Sequence, residues 1–486
     1  MPFKNQLRIH LSLVSHTNIG KTTLARTLLM RDVGEVADRA HVTETTDDYV
    51  LARDTAGCEL VLWDTPGFGN SVALAKRLSG RNNPIGWFLS EVWDRMTNKA
   101  FWLNQRAIRH VRDISSVVLY LVNASELPNK APYITAEMQI LTWINKPVII
   151  LLNQMGEPRS AKEEDADIQA WREAMKPYPF VKDILPMDAF ARCWVQEAAL
   201  FDAIGRSLPA NLHASFETLR DVWVRSRRAI YRSSVDAMSR HLWKLLQAHE
   251  LVETPSLEDH VLSFASQIGI LKKKNAALED AQTALSTQAA DSLCALTDKL
   301  LALNGLTGSG ISKEILRRMK SDWDVAAYSI DPSSAAAVGA GVGVAGGAAA
   351  GAAADFASVG LSLGLGTLLG GIIGAIGGVG AATIYNARHK KGGIEISWSE
   401  HAARDFMLET LLLYLAVAHF GRGRGDWQAG ESPEFWKEAV SDAMKEQNVS
   451  FQELRRLSPE TGVERLTVMT DTLLRAVFMR LYGRTI

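Results

Sequence analysis

Residues 7–29 read LRIHLSLVSHTNIGKTTLARTLL, and this stretch decides the fold of the first half of the chain. Leu7–Val14 is mostly apolar and predicts a β-strand, whereas residues from about Lys21 to Met30 predict an α-helix. Ser15–Thr22 (SHTNIGKT) connects the two elements. A loop of successive backbone N–H groups that opens a helix forms an anion-binding site. The stretch therefore predicts a strand, an anion-binding loop and a helix.

The loop fits the P-loop template GxxxxGK[ST], with Ser15 in place of the first glycine and the GKT end intact. In that template the lysine, here Lys21, binds the β- and γ-phosphates of a nucleotide. The hydroxyl of Thr22 would bind Mg²⁺. The predicted nucleotide-binding residues of this loop are Ser15, Asn18, Ile19, Gly20, Lys21, Thr22 and Thr23.

A second motif, Asp64-Thr65-Pro66-Gly67, ends the apolar strand Leu60–Trp63. A carboxylate at this point faces Mg²⁺ in a P-loop protein, so Thr22 and Asp64 are predicted metal ligands. Gly67 has no Cβ, so its backbone N–H can approach a γ-phosphate. The alternative interpretation is a Pro-Gly turn that merely ends a strand.

Further strands are predicted along the first 205 residues. Tyr49–Arg53 and Leu60–Trp63 flank a turn, as in a β-hairpin. Ser116–Val122 and Pro147–Leu152 are continuous apolar runs, typical of parallel strands that are buried on both faces, and Ile184–Met187 is a weaker strand. The pattern predicts a doubly wound α/β domain at residues 1–205. Residues 71–113 are expected to form two packing helices or, alternatively, a mobile partner-binding element.

The remaining 281 residues divide by composition. Residues 206–332 predict a helical domain, in which an arginine cluster at 225–232 indicates a solvated helix face or, alternatively, contact with acidic lipid. Residues 392–486 predict a C-terminal helical region. Between them, residues 333–391 predict an apolar Gly/Ala-rich helical hairpin, because Ala335–Ala354 contains only Ala, Gly and Val.

Glycines recur at every fourth position of this hairpin segment, as in glycine-zipper helix pairs. About 20 apolar residues suffice to cross a bilayer, and both halves of the segment reach that length. Membrane contact is therefore expected, and a soluble buried hairpin or a flexible linker remain alternatives. The expected location is the cytoplasm, with association at the inner face of the cytoplasmic membrane.

Composition excludes several other classes. The chain has 53 Lys and Arg against 54 Asp and Glu, a balance that argues against nucleic acid as a partner. Its three cysteines are widely spaced, so a disulfide framework is excluded. Residues 1–13 lack the continuous apolar core of a secretion signal.

With these motifs, residues 7–190 resemble the small GTPases of the Era and TrmE type, in the translation-factor-related class. The resemblance implies GTP/GDP and Mg²⁺ as ligands. It assigns Lys21, Thr46 and Gly67 to catalysis, and Thr46 also to Mg²⁺, with Thr45 as the neighbouring candidate for the switch threonine. The whole chain looks like one of a group of bacterial proteins that carry an uncharacterised C-terminal domain behind an Era-like domain.

Two positions differ from the family pattern. Asn153-Gln154-Met155-Gly156 stands where the family has Asn-Lys-x-Asp, so Asn153 is a predicted base-loop residue, but Gly156 replaces the guanine-binding aspartate. Glu157 could replace that aspartate if the loop shifts by one residue. Phe68 stands where Ras-type proteins have a water-orienting glutamine.

The resemblance implies a GTPase whose nucleotide state controls a membrane-associated helical domain. The altered base loop and Phe68 support an alternative, a nucleotide-dependent interaction protein with negligible intrinsic hydrolysis. A nucleotide-dependent homodimer and an unidentified protein partner are further expectations.

Overall fold

The structure of the protein is a computed structural model. It describes residues 7–33, 46–91, 98–126, 128, 131–153, 161–187, 194–253, 264–308, 385–390, 393–421, 427, 433–448 and 450–484. The chain divides into two compact units. The first comprises Met1–Tyr231 with Ala418–Asp426, and the second comprises Arg232–Val417 with Trp427–Ile486.

Strands and helices alternate through the first unit. Its strands are β1 (Arg8–Ser15), β2 (Asp47–Arg53), β3 (Glu59–Asp64), β4 (Val117–Asn123), β5 (Val148–Asn153) and β6 (Val181–Pro186). Its helices are α1 (Lys21–Leu29), α2 (Ser71–Leu78), α3 (Pro84–Ser90), α4 (Lys99–Asp113), α5 (Pro132–Ile144), α6 (Ala161–Met175) and α7 (Trp194–Ser207), followed by the beginning of α8 (His213–Gln247).

The six strands form one sheet in the order β2-β3-β1-β4-β5-β6. Only the β2–β3 pair is antiparallel; β1, β3, β4, β5 and β6 pair in parallel. In such a sheet, ligands bind beyond the carboxyl ends of the strands where the strand order reverses, here beside β1. The order thus places the loop after β1 and the residues after β3 at one edge.

Helices cover both faces of the sheet because alternate residues of the central strands point to opposite sides. Val14, Tyr120 and Ile150 join one buried apolar cluster, whereas Leu13 and Leu119 join the cluster on the other face. The predicted doubly wound domain is confirmed.

Residues 71–113 contain three described helices, α2, α3 and α4, rather than the two that were predicted. Phe88 of α3 and Ala107 and Ile108 of α4 are fully buried in a core cluster. Their burial agrees with the packing interpretation of this long connection.

The second unit contains the rest of α8 and four more described helices: α9 (Phe264–Leu303), α10 (Glu400–Ala418), α11 (Glu434–Glu446) and α12 (Pro459–Tyr482). It also contains β7 (His249–Glu253), β8 (Tyr385–Lys390) and β9 (Gly393–Trp398). These strands form an antiparallel sheet in the order β7-β9-β8. The region is mostly helical, as predicted, but this small sheet was not predicted.

The Gly/Ala-rich residues 333–384 lie outside the described residues, so the predicted hairpin stays a prediction there. Arg388, His389 and Lys390, which follow the apolar segment in the sequence, belong to strand β8 and pair with β9. Among the helices that the structure describes, none combines the length and the apolar character needed to cross a bilayer. The boundaries of the four predicted domains stay predictions.

Candidate functional site

The loop between β1 and α1 has a backbone that requires glycine at its last position. Gly20 has a φ of +91°, in the left-handed region, immediately before Lys21 begins the helix. A Cβ at Gly20 would lie 2.8 Å from the amide nitrogen of Asn153. Asn18 also has a positive φ, of +62°. Both strain and space therefore fix the glycine of the GKT motif.

Lys21 lies inside this loop and is 7% exposed. Its Nζ donates to Ser15 Oγ at 3.0 Å and to the His16 carbonyl at 3.4 Å. Burial lowers the pKa of Lys21, and the carboxylates of Asp64 and Glu137 oppose that shift. A buried ammonium group that is held by oxygen atoms of the loop is suited to bind a phosphate.

Thr22 and Asp64 meet although 42 residues separate them in the sequence. The Thr22 hydroxyl donates to Asp64 Oδ2 at 2.5 Å, and Asp64 is 1% exposed at the end of β3. Burial raises the pKa of Asp64, while Lys21 and the Thr22 hydrogen bond oppose the rise. Asp64 Oδ1 is buried and has no hydrogen-bond partner among the described residues.

This pair fits a hard divalent cation. Mg²⁺ prefers oxygen ligands and is bound by one or two carboxylates together with substrate phosphates. The free Asp64 Oδ1 and the adjacent Thr22 hydroxyl supply such oxygen atoms. Thr46, the third predicted ligand, is half-buried and directly precedes β2, whose first residue Asp47 is paired with Asp64. Thr45 lies outside the described residues.

Gly67 packs directly against the loop. A Cβ there would lie 2.9 Å from Lys21 Nζ and 3.0 Å from Thr17 Cα. The next residue, Phe68, donates its N–H to the Ser15 carbonyl at 2.9 Å and pairs with His16 in a parallel bridge. The segment after β3 is therefore hydrogen-bonded to the loop after β1, and any side chain at residue 67 would crowd the backbone of that loop.

Asn153 ends β5 and is fully buried. Its amide nitrogen donates to the Ile19 carbonyl at 2.5 Å, so it ties the end of β5 to the loop. Ile19 and Thr23, the two remaining predicted residues of the loop region, are also buried. Residues 154–160, which include Gly156 and Glu157, lie outside the described residues, and the base preference stays a prediction.

The structure thus brings Ser15, Lys21, Thr22, Asp64, Gly67 and Asn153 together at the carboxyl ends of β1, β3 and β5. Sequence reasoning missed three supporting residues. Asn104 of α4 bonds Gly69 through both its amide atoms, at 3.0 and 2.7 Å. His16 and Glu137 bond each other at 2.7 Å behind the loop. A lone glutamate in the apolar helix sequence PYITAEMQILTWI was the signal that could have identified Glu137.

Comparison with protein families gives two matches. Residues 184–472 match the family described as a domain of unknown function, DUF3482, which covers more than half of the chain. The chain belongs to the DUF3482 family. In this DUF3482 protein, residues 10–154 match the model described as a 50S ribosome-binding GTPase. The N-terminal unit thus contains a P-loop GTPase-family domain, which confirms the predicted combination and supports binding of a guanine nucleotide.

Solved structures with similarity to the DUF3482 protein include Era from Aquifex aeolicus bound to GDP and AlF4⁻, with 20% identity and a TM-score of 0.32. A second is Era in complex with MgGDPNP and a 16S ribosomal RNA segment, with 19% identity and a TM-score of 0.32. Each alignment covers 42% of this chain and 58% of the Era chain. A third is a bacterial selenocysteine-specific elongation factor, with 14% identity, a TM-score of 0.26, and coverage of 42% of this chain and 29% of the factor. The search of curated proteins found no match.

Proposed function

We propose that the protein binds GTP with Mg²⁺ at the loop of residues 15–22 and hydrolyses it to GDP and phosphate. The observation that carries the proposal is the contact between the Thr22 hydroxyl and the Asp64 carboxylate, 2.5 Å long, beside the buried Lys21. An acid, a hydroxyl and an ammonium group converge there at the opening of a helix. The family match of residues 10–154 supports a guanine nucleotide as the ligand.

In this proposal the work of the protein is positioning and charge stabilisation, because phosphoryl transfer to water needs little covalent help. Lys21 and the N–H groups that open α1 bind the phosphates. Thr22, Asp64 and Thr46 would hold Mg²⁺, whose positive charge would stabilise the negative charge that develops on the phosphates. Gly67, which lies beside Lys21, would offer its N–H to the γ-phosphate, and a larger residue there would crowd the loop.

The nucleotide state would be reported by the segments of Thr46 and Gly67, which lie at the same edge of the sheet. We further propose that this state controls a helical domain that contacts the inner face of the cytoplasmic membrane through residues 333–391. The support for that step is the composition of the segment, with 20 successive Ala, Gly and Val residues at 335–354. A nucleotide-dependent homodimer would be one way to couple the nucleotide state to the helical domain.

A second candidate function is a nucleotide-dependent interaction protein with negligible turnover. The observation that favours it is Phe68, which occupies the position of the water-orienting glutamine and is fully buried. A buried phenyl ring offers no hydrogen bond to an attacking water. Hydrolysis would then require K⁺ or a protein partner to position the water.

Phosphate release from the full-length protein separates these candidates. The assay uses GTP and Mg²⁺, with Na⁺ or K⁺ as the monovalent ion, and with or without anionic lipid vesicles. We expect release by the wild type in K⁺, loss of release in Lys21→Ala, and full release in Lys182→Ala, an exposed lysine of β6. Release that persists in Lys21→Ala would contradict the hydrolase. Tight GTP binding without turnover under every condition would favour the second candidate.

A further inference from the structure

A fully buried carboxylate lies behind the phosphate-binding loop. Glu137, in the middle of α5, is 0% exposed. Its Oε1 accepts a hydrogen bond from His16 Nδ1 at 2.7 Å, and its Oε2 accepts one from the Tyr120 hydroxyl at 2.7 Å. Burial raises the pKa of Tyr120 well above its ordinary value, so that hydroxyl keeps its proton and donates. Each carboxylate oxygen therefore has a defined donor.

Burying a carboxylate is costly unless it is paired and hydrogen-bonded. The neighbours of Glu137 on α5 are apolar and buried; they include Ile134, Met138, Ile140 and Leu141. An apolar residue would fill this inward position without the cost of desolvation. The carboxylate thus calls for an explanation beyond packing, and its direct contact with the loop supplies one.

The His16 ring has a second restraint, a stacking contact on one face, in addition to the hydrogen bond at Nδ1. It stacks on the Tyr133 ring with 4.4 Å between centroids and 26° between planes. The Tyr133 hydroxyl in turn donates to Glu126 Oε2 at 2.9 Å. Two residues of α5, Tyr133 and Glu137, therefore fix both the place and the tilt of the His16 ring.

The backbone of His16 is where this restraint reaches the phosphate site. Its carbonyl accepts from Lys21 Nζ at 3.4 Å and from Ser15 Oγ at 2.5 Å. The same carbonyl lies 3.2 Å from the point that a Cβ on Gly67 would occupy. A shift of the His16 peptide would therefore move the carbonyl that accepts from Lys21 Nζ. The same shift would change the space between that carbonyl and Gly67.

We propose that Glu137 and His16 are positioning residues of the phosphate-binding loop: the carboxylate fixes the imidazole, and the imidazole fixes the His16 carbonyl against the Lys21 ammonium. Glu137 itself does not touch the nucleotide, since a carboxylate would repel phosphate. This inference rests on the proposed function, because it assigns a role in holding the nucleotide that Lys21 binds.

The test compares four full-length variants by the dissociation rate of a fluorescent N-methylanthraniloyl-GDP with Mg²⁺, together with thermal unfolding. His16→Ala removes the donor, whereas His16→Asn keeps an amide N–H near the position of Nδ1. Glu137→Gln removes the charge of the acceptor. Tyr133→Phe is the matched control, because it keeps the ring under His16 and loses only the bond to Glu126.

We expect His16→Ala and Glu137→Gln to release the nucleotide about tenfold faster, as the loss of one charge-assisted hydrogen bond predicts. His16→Asn is expected to stay within about threefold of the wild type, a rescue that a purely structural role would not produce. Tyr133→Phe is expected to release at the wild-type rate.

Wild-type release rates in both His16→Ala and Glu137→Gln would overturn the inference while leaving the proposed function intact. Faster release in Tyr133→Phe, equal to that in His16→Ala, would also overturn it, because the effect would then follow any change in α5. No binding of the labelled nucleotide by the wild type would instead overturn the proposed function, and this inference with it.

Discussion

Both units of the molecule bury ionisable side chains, but the two surround them differently. In the first unit, Lys21 and Asp64 are buried beside each other, and each favours the charged form of the other. The Asp64 carboxylate acts to raise the pKa of Lys21, and the Lys21 ammonium acts to lower the pKa of Asp64. In the second unit, Glu409 of α10 is 7% exposed, and its Oε2 has no hydrogen-bond partner among the described residues. Burial raises the pKa of Glu409 to about 8, with Lys437 opposing and Asp405 reinforcing the shift.

A buried charge therefore indicates a ligand site only where opposite charges and oriented donors converge. Around Lys21 they do, and Asp64 keeps an oxygen for a metal. At Glu409 the surroundings favour the neutral acid, which is mostly protonated at pH 7. The first arrangement is suited to bind an anion with its cation, and the second adds a pH dependence to stability.

The strongest test of this comparison uses a second paired charge in the first unit. Arg227 of α8 faces Glu197 of α7 at 3.1 Å, with side-chain exposures of 8% and 5%. It also donates to the Leu28 carbonyl at the end of α1, at 2.8 Å. We expect Arg227→Met to lower the free energy of unfolding by about 3–5 kcal/mol, because it removes the cation that faces a buried carboxylate.

Urea denaturation of the full-length protein measures this loss. Arg228→Met is the control, because Arg228 is the next residue on the helix and is exposed. It should change the free energy of unfolding by less than about 0.5 kcal/mol. Equal stabilities of the two variants would mean that Arg227 is not a buried partner of Glu197. Charge pairing would then not distinguish the buried ionisable groups of the first unit from Glu409 in the second.

Glu409 tests the other side of the comparison, a buried carboxyl group that favours its neutral form, through the pH dependence of the free energy of unfolding. A carboxyl group whose folded pKa is about 8 stabilises the fold fully below its ordinary pKa of 4.5, and this contribution is lost as the pH rises through about 8. Relative to Glu409→Gln, the wild type should lose about 1.4 kcal/mol per pH unit across this window, a few kcal/mol in all.

Denaturation curves at about pH 5, 6.5 and 8 cover this window. They measure the difference in the free energy of unfolding between the wild type and Glu409→Gln. Glu438→Gln is the control, because Glu438 of α11 is exposed and its substitution should give the same difference at each pH. A difference between Glu409→Gln and wild type that does not vary with pH would show that Glu409 is ionised in the folded protein.

The smallest expected effect is at an exposed pair. Arg475 and Asp471 of α12 are 2.7 Å apart, but their side chains are 43% and 34% exposed. Solvent screens such a pair, so Arg475→Gln should lower the free energy of unfolding by only about 0.3–0.5 kcal/mol in the same denaturation assay. A loss as large as that of Arg227→Met would contradict the view that burial makes the Arg227–Glu197 pair more important for stability than the Arg475–Asp471 pair.

The sequence allowed a good prediction of the first unit because its strands are continuous apolar runs. β4 and β5 are buried along nearly their whole length, and such runs stand out from their polar flanks. The GKT and DTPG motifs fixed the ends of β1 and β3, and parallel pairing of these strands then places Thr22 near Asp64. These features are local and can be recognised without knowledge of distant contacts.

The remaining features depend on tertiary contacts and were not predicted. Strand β8, YNARHK, is polar and lacks the alternation that identifies a strand; its partner β9 supplies the pairing. Arg227 was predicted, with its neighbours, to lie on a solvated or lipid-facing helix surface, but it is buried against α1 and α7. Glu137 finds His16 at a separation of 121 residues, which no local pattern encodes.

The most direct test of the account is a nucleotide-binding titration of the full-length protein and its Lys21→Ala variant, with Mg²⁺ or with EDTA. The labelled nucleotide is N-methylanthraniloyl-GTP, and unlabelled GTP, GDP and ATP compete with it. We expect binding that needs Mg²⁺, competition by GTP and GDP but not ATP, and an affinity at least tenfold weaker in Lys21→Ala. Equal affinities of wild type and Lys21→Ala, or no binding by the wild type, would contradict it.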